Sequence, residues 1–152
     1  MKLLLLGAAL LAVGCTPGSF ALASASAGAA AGVTGKIVTV DVDLTKDPDG
    51  YAPEDTVLNV GDGVRFHNSD GFAHTATAIA GATFPTAYPF SSSALNQTGN
   101  KLSQGIATGG FSSGNLTPDA VSQTLLADAP GTYLFGCFYH YGTPMRAQID
   151  VH

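Results

Sequence analysis

At 152 residues the chain has room for one domain plus a leader or tail. Only 11% of its residues are charged, 19 are glycine, and Thr, Ser and Val recur in short runs, which fits an all-β domain rich in turns and argues against a helical bundle. A formal charge of −5 with no cluster of Lys or Arg excludes nucleic acid as a partner.

The N-terminus reads first. Met1-Lys2 precedes LLLLGAALLAVG and then Cys15. A positive start, an apolar run of about a dozen residues and small residues at its end make residues 1–14 a secretion signal. The run is shorter than the roughly 20 apolar residues that cross a bilayer. AVGC also resembles a bacterial lipobox, with Ala12 where leucine is usual. The expectation is export to the periplasm or the outer face of the cell membrane, with a membrane tether through lipidated Cys15. Ordinary cleavage within ALASASAG is the alternative and would discard Cys15. On either route Cys15 does not pair with Cys137, and the exported chain carries one free thiol. Residues 15–35 are small and uncharged and read as a flexible tether. A coil of that length has an end-to-end distance of about 25 Å.

From Lys36 to His152 the pattern is that of a folded domain. In KIVTVDVDL, Val38, Val40, Val42 and Leu44 alternate with Thr39, Asp41 and Asp43, so one strand face is buried. The acidic run DVDLTKDPDGYAPED (41–55) places Asp47, Asp49 and Gly50 at calcium-loop positions 3, 5 and 6. Thr45 and Thr56 stand where the strong carboxylates belong, so the run reads as a solvated turn. TVLNV (56–60), Gly61-Asp62-Gly63 and VRFHN (64–68) predict a hairpin. TATAI (75–79), VSQTLLA (121–127), TYLFGC (132–137) and RAQIDV (146–151) are further strands. Between them, residues 80–118 are rich in Gly, Ser, Thr and Pro, a long insertion that Phe84, Tyr88, Phe90 and Phe111 are placed to pin down. Asn96 lies in an N-x-T sequon. Short strands separated by Gly, Pro and Asp indicate a sandwich or barrel.

Chemistry concentrates in CFYHYGTPM (137–145). Alternation puts Tyr133, Phe135 and Cys137 on one face, and Met145, Ala147, Ile149 and Val151 on one face of the last strand. Cys137 and Met145 then close a loop between two inward-facing strand ends, with His140 on it. Soft sulfur with imidazole nitrogen suits copper, a one-electron metal. Taken singly, Cys137 also reads as an inert buried thiol and Met145 as core. A second imidazole is needed: His152 is terminal, His67 points outward from its strand, and His74 sits after a turn and before a strand. Three functions compete: an electron carrier, a copper storage or delivery module, and an enzyme. Delivery sites favour exposed Met- or His-rich ligands, and this chain has two methionines, one of them the initiator. A multi-copper enzyme needs further histidines, and only His67 and His152 remain. A thiol hydrolase needs a base across a cleft from its nucleophile.

The stretch from about Lys36 to Val151 resembles the cupredoxins, in particular the plastocyanin–pseudoazurin group of small blue copper proteins. The residues that carry this are Cys137-x2-His140-x4-Met145, His74 within GFAHTATA, SSGNLTP, and PGTYLFGC entering the cysteine. The resemblance implies an all-β Greek-key sandwich of about eight strands, with the insertion at roughly 80–110. It implies one copper ion, Cu(I)/Cu(II), in a type 1 centre, with His74, Cys137 and His140 in a trigonal plane and Met145 as the long axial ligand. It further implies a backbone N–H of Thr75 at the cysteine sulfur, and His140 as the partly exposed ligand. Phe135, Phe138, Tyr139 and Tyr141 would surround the loop. The function implied is a monomeric one-electron carrier, not an enzyme, in transient complexes with a redox donor and acceptor. Ala73 and Tyr139 depart from the prolines common before the two histidines, and the interval from His74 to Cys137 is longer than usual.

Overall fold

The computed structural model describes residues 32–92, 95, 105–107 and 110–152. The leader, Cys15, nearly all of the tether and the Asn96 sequon lie outside the described residues, as does part of the insertion.

Alternation of apolar and polar residues builds the strands. In β1 (Ile37–Val42) Val40 and Val42 are fully buried while Thr39 faces solvent. β2 (Tyr51–Ala52) and β3 (Asp55–Leu58) follow, then β4 (Gly63–Asn68), β5 (Thr77–Ala78), β6 (Leu125–Leu126), β7 (Gly131–Gly136) and β8 (Arg146–Val151). They form two four-stranded sheets, ordered β2-β1-β4-β6 and β3-β8-β7-β5. Each sheet is mixed: β1 runs parallel to β4, and β3 parallel to β8. This is the expected all-β Greek-key sandwich, with no α-helix among the described residues.

Register decides which side chains meet. Val40 pairs with Phe66 and Val42 with Asn68 in one sheet; Phe135 pairs with Ala147 and Tyr133 with Ile149 in the other. Paired residues share a face, so the two inner faces supply one core. Tyr51 and Phe66 both meet Phe135 edge-on, with centroids 4.9 and 5.2 Å away. Burying each ring stabilises the fold by about 1.5–3 kcal/mol.

Three expectations are corrected. TVLNV and VRFHN do not form a hairpin, because β3 and β4 lie in opposite sheets. The turn between them is a crossover. Gly61 takes φ 93°, and Asp62 accepts the N–H groups of Lys36 and Asn59, both at 2.9 Å, which ties the crossover to two strands. The strands expected over 75–79 and 121–127 contract to two residues each, since side-chain hydroxyls take over the backbone bonding: Ser113 Oγ accepts the Ala76 N–H at 2.8 Å and Ser122 Oγ that of Phe66 at 2.9 Å. Finally, Asp43 is buried and not solvated. Its carboxylate accepts from Thr45, Ser69 and Lys46.

The insertion is partly pinned as its aromatics predict. Phe111 enters the main core, and Phe84 and Phe90 pack on Ile79, Leu134 and Tyr141. Tyr88 is half exposed, yet its hydroxyl donates to the Phe138 carbonyl at 2.6 Å. The end of β4, the residues before β5, the end of β7 and the start of β8 meet at one pole of the sandwich. That pole carries the site.

Candidate metal centre

The loop from β4 to β5 delivers His74. Asn68, fully buried at the end of β4, braces it: Nδ2 donates to the carbonyls of Phe72 and Leu116 at 2.7 and 2.8 Å, and Oδ1 accepts the Asp70 N–H at 3.0 Å. His74 itself exchanges both backbone hydrogen bonds with Leu116, at 3.0 and 2.8 Å. Its ring is completely buried, and Nε2 lies 2.9 Å from Asp70 Oδ2. The same Oδ2 accepts the Leu44 N–H at 3.2 Å. Burial alone would raise the Asp70 pKa, but hydrogen bonds from His74, Leu44 and Gly71 hold it below the ordinary carboxylate value. A carboxylate accepts only, so His74 carries a proton on Nε2 and turns Nδ1 toward the other donors.

The loop from β7 to β8 delivers the rest. Cys137 directly follows β7 with its thiol fully buried, and its N–H donates to the Met145 carbonyl at 3.1 Å, closing the loop. Its Sγ accepts the Thr75 N–H at 3.4 Å. Thr75 Oγ1 in turn accepts the Phe138 N–H at 2.8 Å, so the two loops are bonded to each other on both sides of the sulfur. Burial pushes the Cys137 thiol up despite these donors. His140 sits on a turn whose carbonyl accepts the N–H and hydroxyl of Thr143 at 3.1 and 2.8 Å. It is half buried, and burial followed by the neighbouring His74 lowers its basicity.

His74, Cys137 and His140 are thereby brought together, their donor atoms all within 4.8 Å of one another. Nδ1 of His140 lies 3.1 Å from Nδ1 of His74 and 3.6 Å from Cys137 Sγ, and His74 Nδ1 lies 3.8 Å from Sγ. A point equidistant from the three atoms is roughly 2 Å from each, which matches ordinary metal–nitrogen and metal–sulfur bonds of about 2.0–2.3 Å. The donor set fits a soft or borderline ion, and a cation replacing the thiol proton relieves the cost of burying the sulfur. Met145 is fully buried in the same apolar cluster as Cys137. Its side chain lies where a Cβ on Gly50 would sit, 2.7 Å from Met145 Cγ, and Gly50 has φ 70°.

The other candidates fall elsewhere. His67 is on the outer face of β4, 3.0 Å from Asp41. His152 donates its N–H to Leu58 at the far pole. Tyr139 packs on the loop as expected, with its ring centroid 5.4 Å from that of Phe138 and 6.2 Å from that of His140, but it is 44% exposed and its hydroxyl donates to Asn115 at 2.9 Å. Reading the sequence missed Asn68, Asp70 and Tyr51, whose buried hydroxyl donates to the Thr75 carbonyl at 2.5 Å. Asp70, four residues before His74 in NSDGFAH, was the one available signal.

No family model and no curated protein matches the sequence. Solved structures match the fold. The chain is similar to an oxidized mutant of amicyanin, with a TM-score of 0.50 and 16% identity over 76% of this chain and 82% of that one. It is similar to a purple cupredoxin from Nitrosopumilus maritimus, with a TM-score of 0.50 and 16% identity over 76% and 99% of the two chains. It is also similar to auracyanin B, with a TM-score of 0.51 and 19% identity over 82% and 96%. The likeness is one of fold, and the fold is that of the cupredoxins.

Proposed function

We propose that the protein is an exported one-electron carrier built on a single type 1 copper ion. His74, Cys137 and His140 would hold the metal, with Met145 as the weak axial ligand. The observation that carries this reading is the buried triangle of two imidazole nitrogens and one thiol on a cupredoxin fold. Copper bound there supplies a Cu(I)/Cu(II) couple.

The chain's own residues suit that couple by staying still. His74 is tied through Asp70, and Cys137 through Thr75 and Met145. Donors that do not relax between charge states keep the cost of each transfer low. Phe135 shares one buried apolar cluster with Cys137, whose sulfur is closed to water. His140 alone reaches the surface, so it is the edge through which electrons pass to a redox partner. Storage or delivery is disfavoured because His74, Cys137 and Met145 are all fully buried, which opposes ready exchange of the ion. Export through the leader, the tether at Cys15 and action as a monomer between a donor and an acceptor complete the proposal.

The test is to add Cu(II) to the purified chain, record its visible absorption, and repeat with Cys137→Ser. An intense blue band that disappears in the variant is the expected outcome. A colourless protein that still binds copper or zinc would reject the carrier and favour storage or a structural metal.

A further inference from the structure

Asp70 is a buried carboxylate that the proposed electron transfer does not by itself require. Its side chain is 2% exposed, and among the described residues no lysine or arginine is bonded to it: Lys46, which acts on it only at a distance, is bonded to Asp43 and Ser69. What faces it is a set of N–H donors, His74 Nε2 at 2.9 Å, Leu44 N–H at 3.2 Å and the backbone of Gly71. Its own N–H is held by Asn68. Burying an unpaired charge is costly unless something compensates it. Here the compensating group would be a cation on the far nitrogen of the same imidazole.

We propose that Asp70 is a positioning residue of the copper centre, a carboxylate–histidine–metal relay. It fixes the tautomer and tilt of His74 and biases the site toward the oxidised ion. The inference rests on the copper reading above. The carboxylate makes Nδ1 a stronger donor, and a negative charge one ring away from the metal stabilises Cu(II) more than Cu(I), since the former carries the larger charge. The reduction potential is therefore held down by a residue that never touches the metal.

Asp70→Asn keeps the size and an acceptor oxygen while removing the charge. The control is Asp62→Asn, which removes a buried carboxylate at the opposite end of β4, where it accepts the Lys36 and Asn59 N–H groups. Potentials are read by voltammetry on copper-loaded full chain. The ratio of Cu(II) to Cu(I) affinities should fall about tenfold in Asp70→Asn, a rise of about 59 mV for one electron, with Asp62→Asn unmoved. An unchanged or lowered potential, or an equal rise in the control, overturns the relay. A second readout needs no copper: nitrogen NMR of the metal-free protein should show His74 protonated at Nε2 and bare at Nδ1. The opposite tautomer overturns the inference, and this measurement decides the case if Asp70→Asn does not hold the metal. A wild-type protein without the blue band would instead sink the carrier reading, so the two failures are told apart.

Discussion

The two loops that bring donors to the site are held by different means. The loop over 68–74 is a polar structure whose bracing side chains, Asn68, Asp70 and His74, are buried while its tip at Phe72 faces water. Asn68 and Asp70 satisfy its turns, and its anchors lie far away in sequence, at Leu44 and Leu116. The loop over 137–145 is short, and it is closed by one backbone bond between Cys137 and Met145 and packed by rings: Phe90 lies 5.5 Å from Tyr141, and Arg146 stacks 4.2 Å over the same Tyr141 ring. The first loop holds one donor in a fixed tautomer. The second holds the others on a frame of apolar contacts that leaves His140 half open. A site that must keep its geometry and still reach a partner needs both.

Breaking the polar loop should have the largest effect. Asn68→Ala leaves the Asp70 N–H without its partner in a buried place and frees the Phe72 carbonyl to water. At about 1–3 kcal/mol for a buried group left unmet, the metal-free protein should lose about 1–3 kcal/mol. Urea unfolding of the metal-free chain measures this. A loss below 0.5 kcal/mol, on the order of a surface change, would show that the loop is held by something else.

The second loop is probed through its proton. Because burial pushes the Cys137 thiol up, it stays protonated to a higher pH than an ordinary cysteine, and a bound ion must displace that proton. With Zn(II) as probe, the pH dependence of log affinity should be steeper in the native chain than in Cys137→Ser by about one unit per pH unit from pH 6.5 to 8.5. The sign is fixed: affinity rises with pH. Titration calorimetry in two buffers checks it, and equal slopes in the two proteins would show that the sulfur is not a ligand.

How much of this was legible beforehand follows from the same contrast. Cys137, His140 and Met145 lie within nine residues, so their spacing could be read directly, and strand alternation correctly turned Cys137 and Met145 inward. His74 followed once His67 and His152 were set aside, and the structure does place it against the other two. Asn68 and Asp70 were passed over because Asn, Asp and Gly before a strand are ordinary turn formers. Only long-range partners such as Leu116 reveal them as braces. The fold divides in the same way. Alternation marked β1, β4, β7 and β8, which are each six residues long, whereas the false hairpin and the overlong strands at 75–79 and 121–127 were errors of pairing. Pairing between sheets is a property of distant residues, and local pattern is silent on it. Asp43 was misjudged for a related reason: an aspartate in an acidic turn sequence suits solvent, but Ser69 and Lys46 cover it.

The smallest change asks whether the insertion supports the second loop at all. Tyr88 reaches back from the insertion to donate to the Phe138 carbonyl at 2.6 Å, and its ring lies 5.7 Å from that of Phe138. Tyr88→Phe keeps the ring and removes the bond. The contact is exposed, so stability should fall by only about 0.5 kcal/mol, the low end for one hydrogen bond. Its mark should instead be local: amide hydrogen exchange over 138–144 should quicken, while exchange over 68–74, which Tyr88 does not touch, should stay as it was. Equal quickening in both loops would mean that the bonds through Thr75 join them into one unit. No change in either would make the Tyr88 bond dispensable, and the ligand loop would then owe its order to Tyr141, held by Phe90, Pro85 and Arg146, and to the closing bond from Cys137 to Met145.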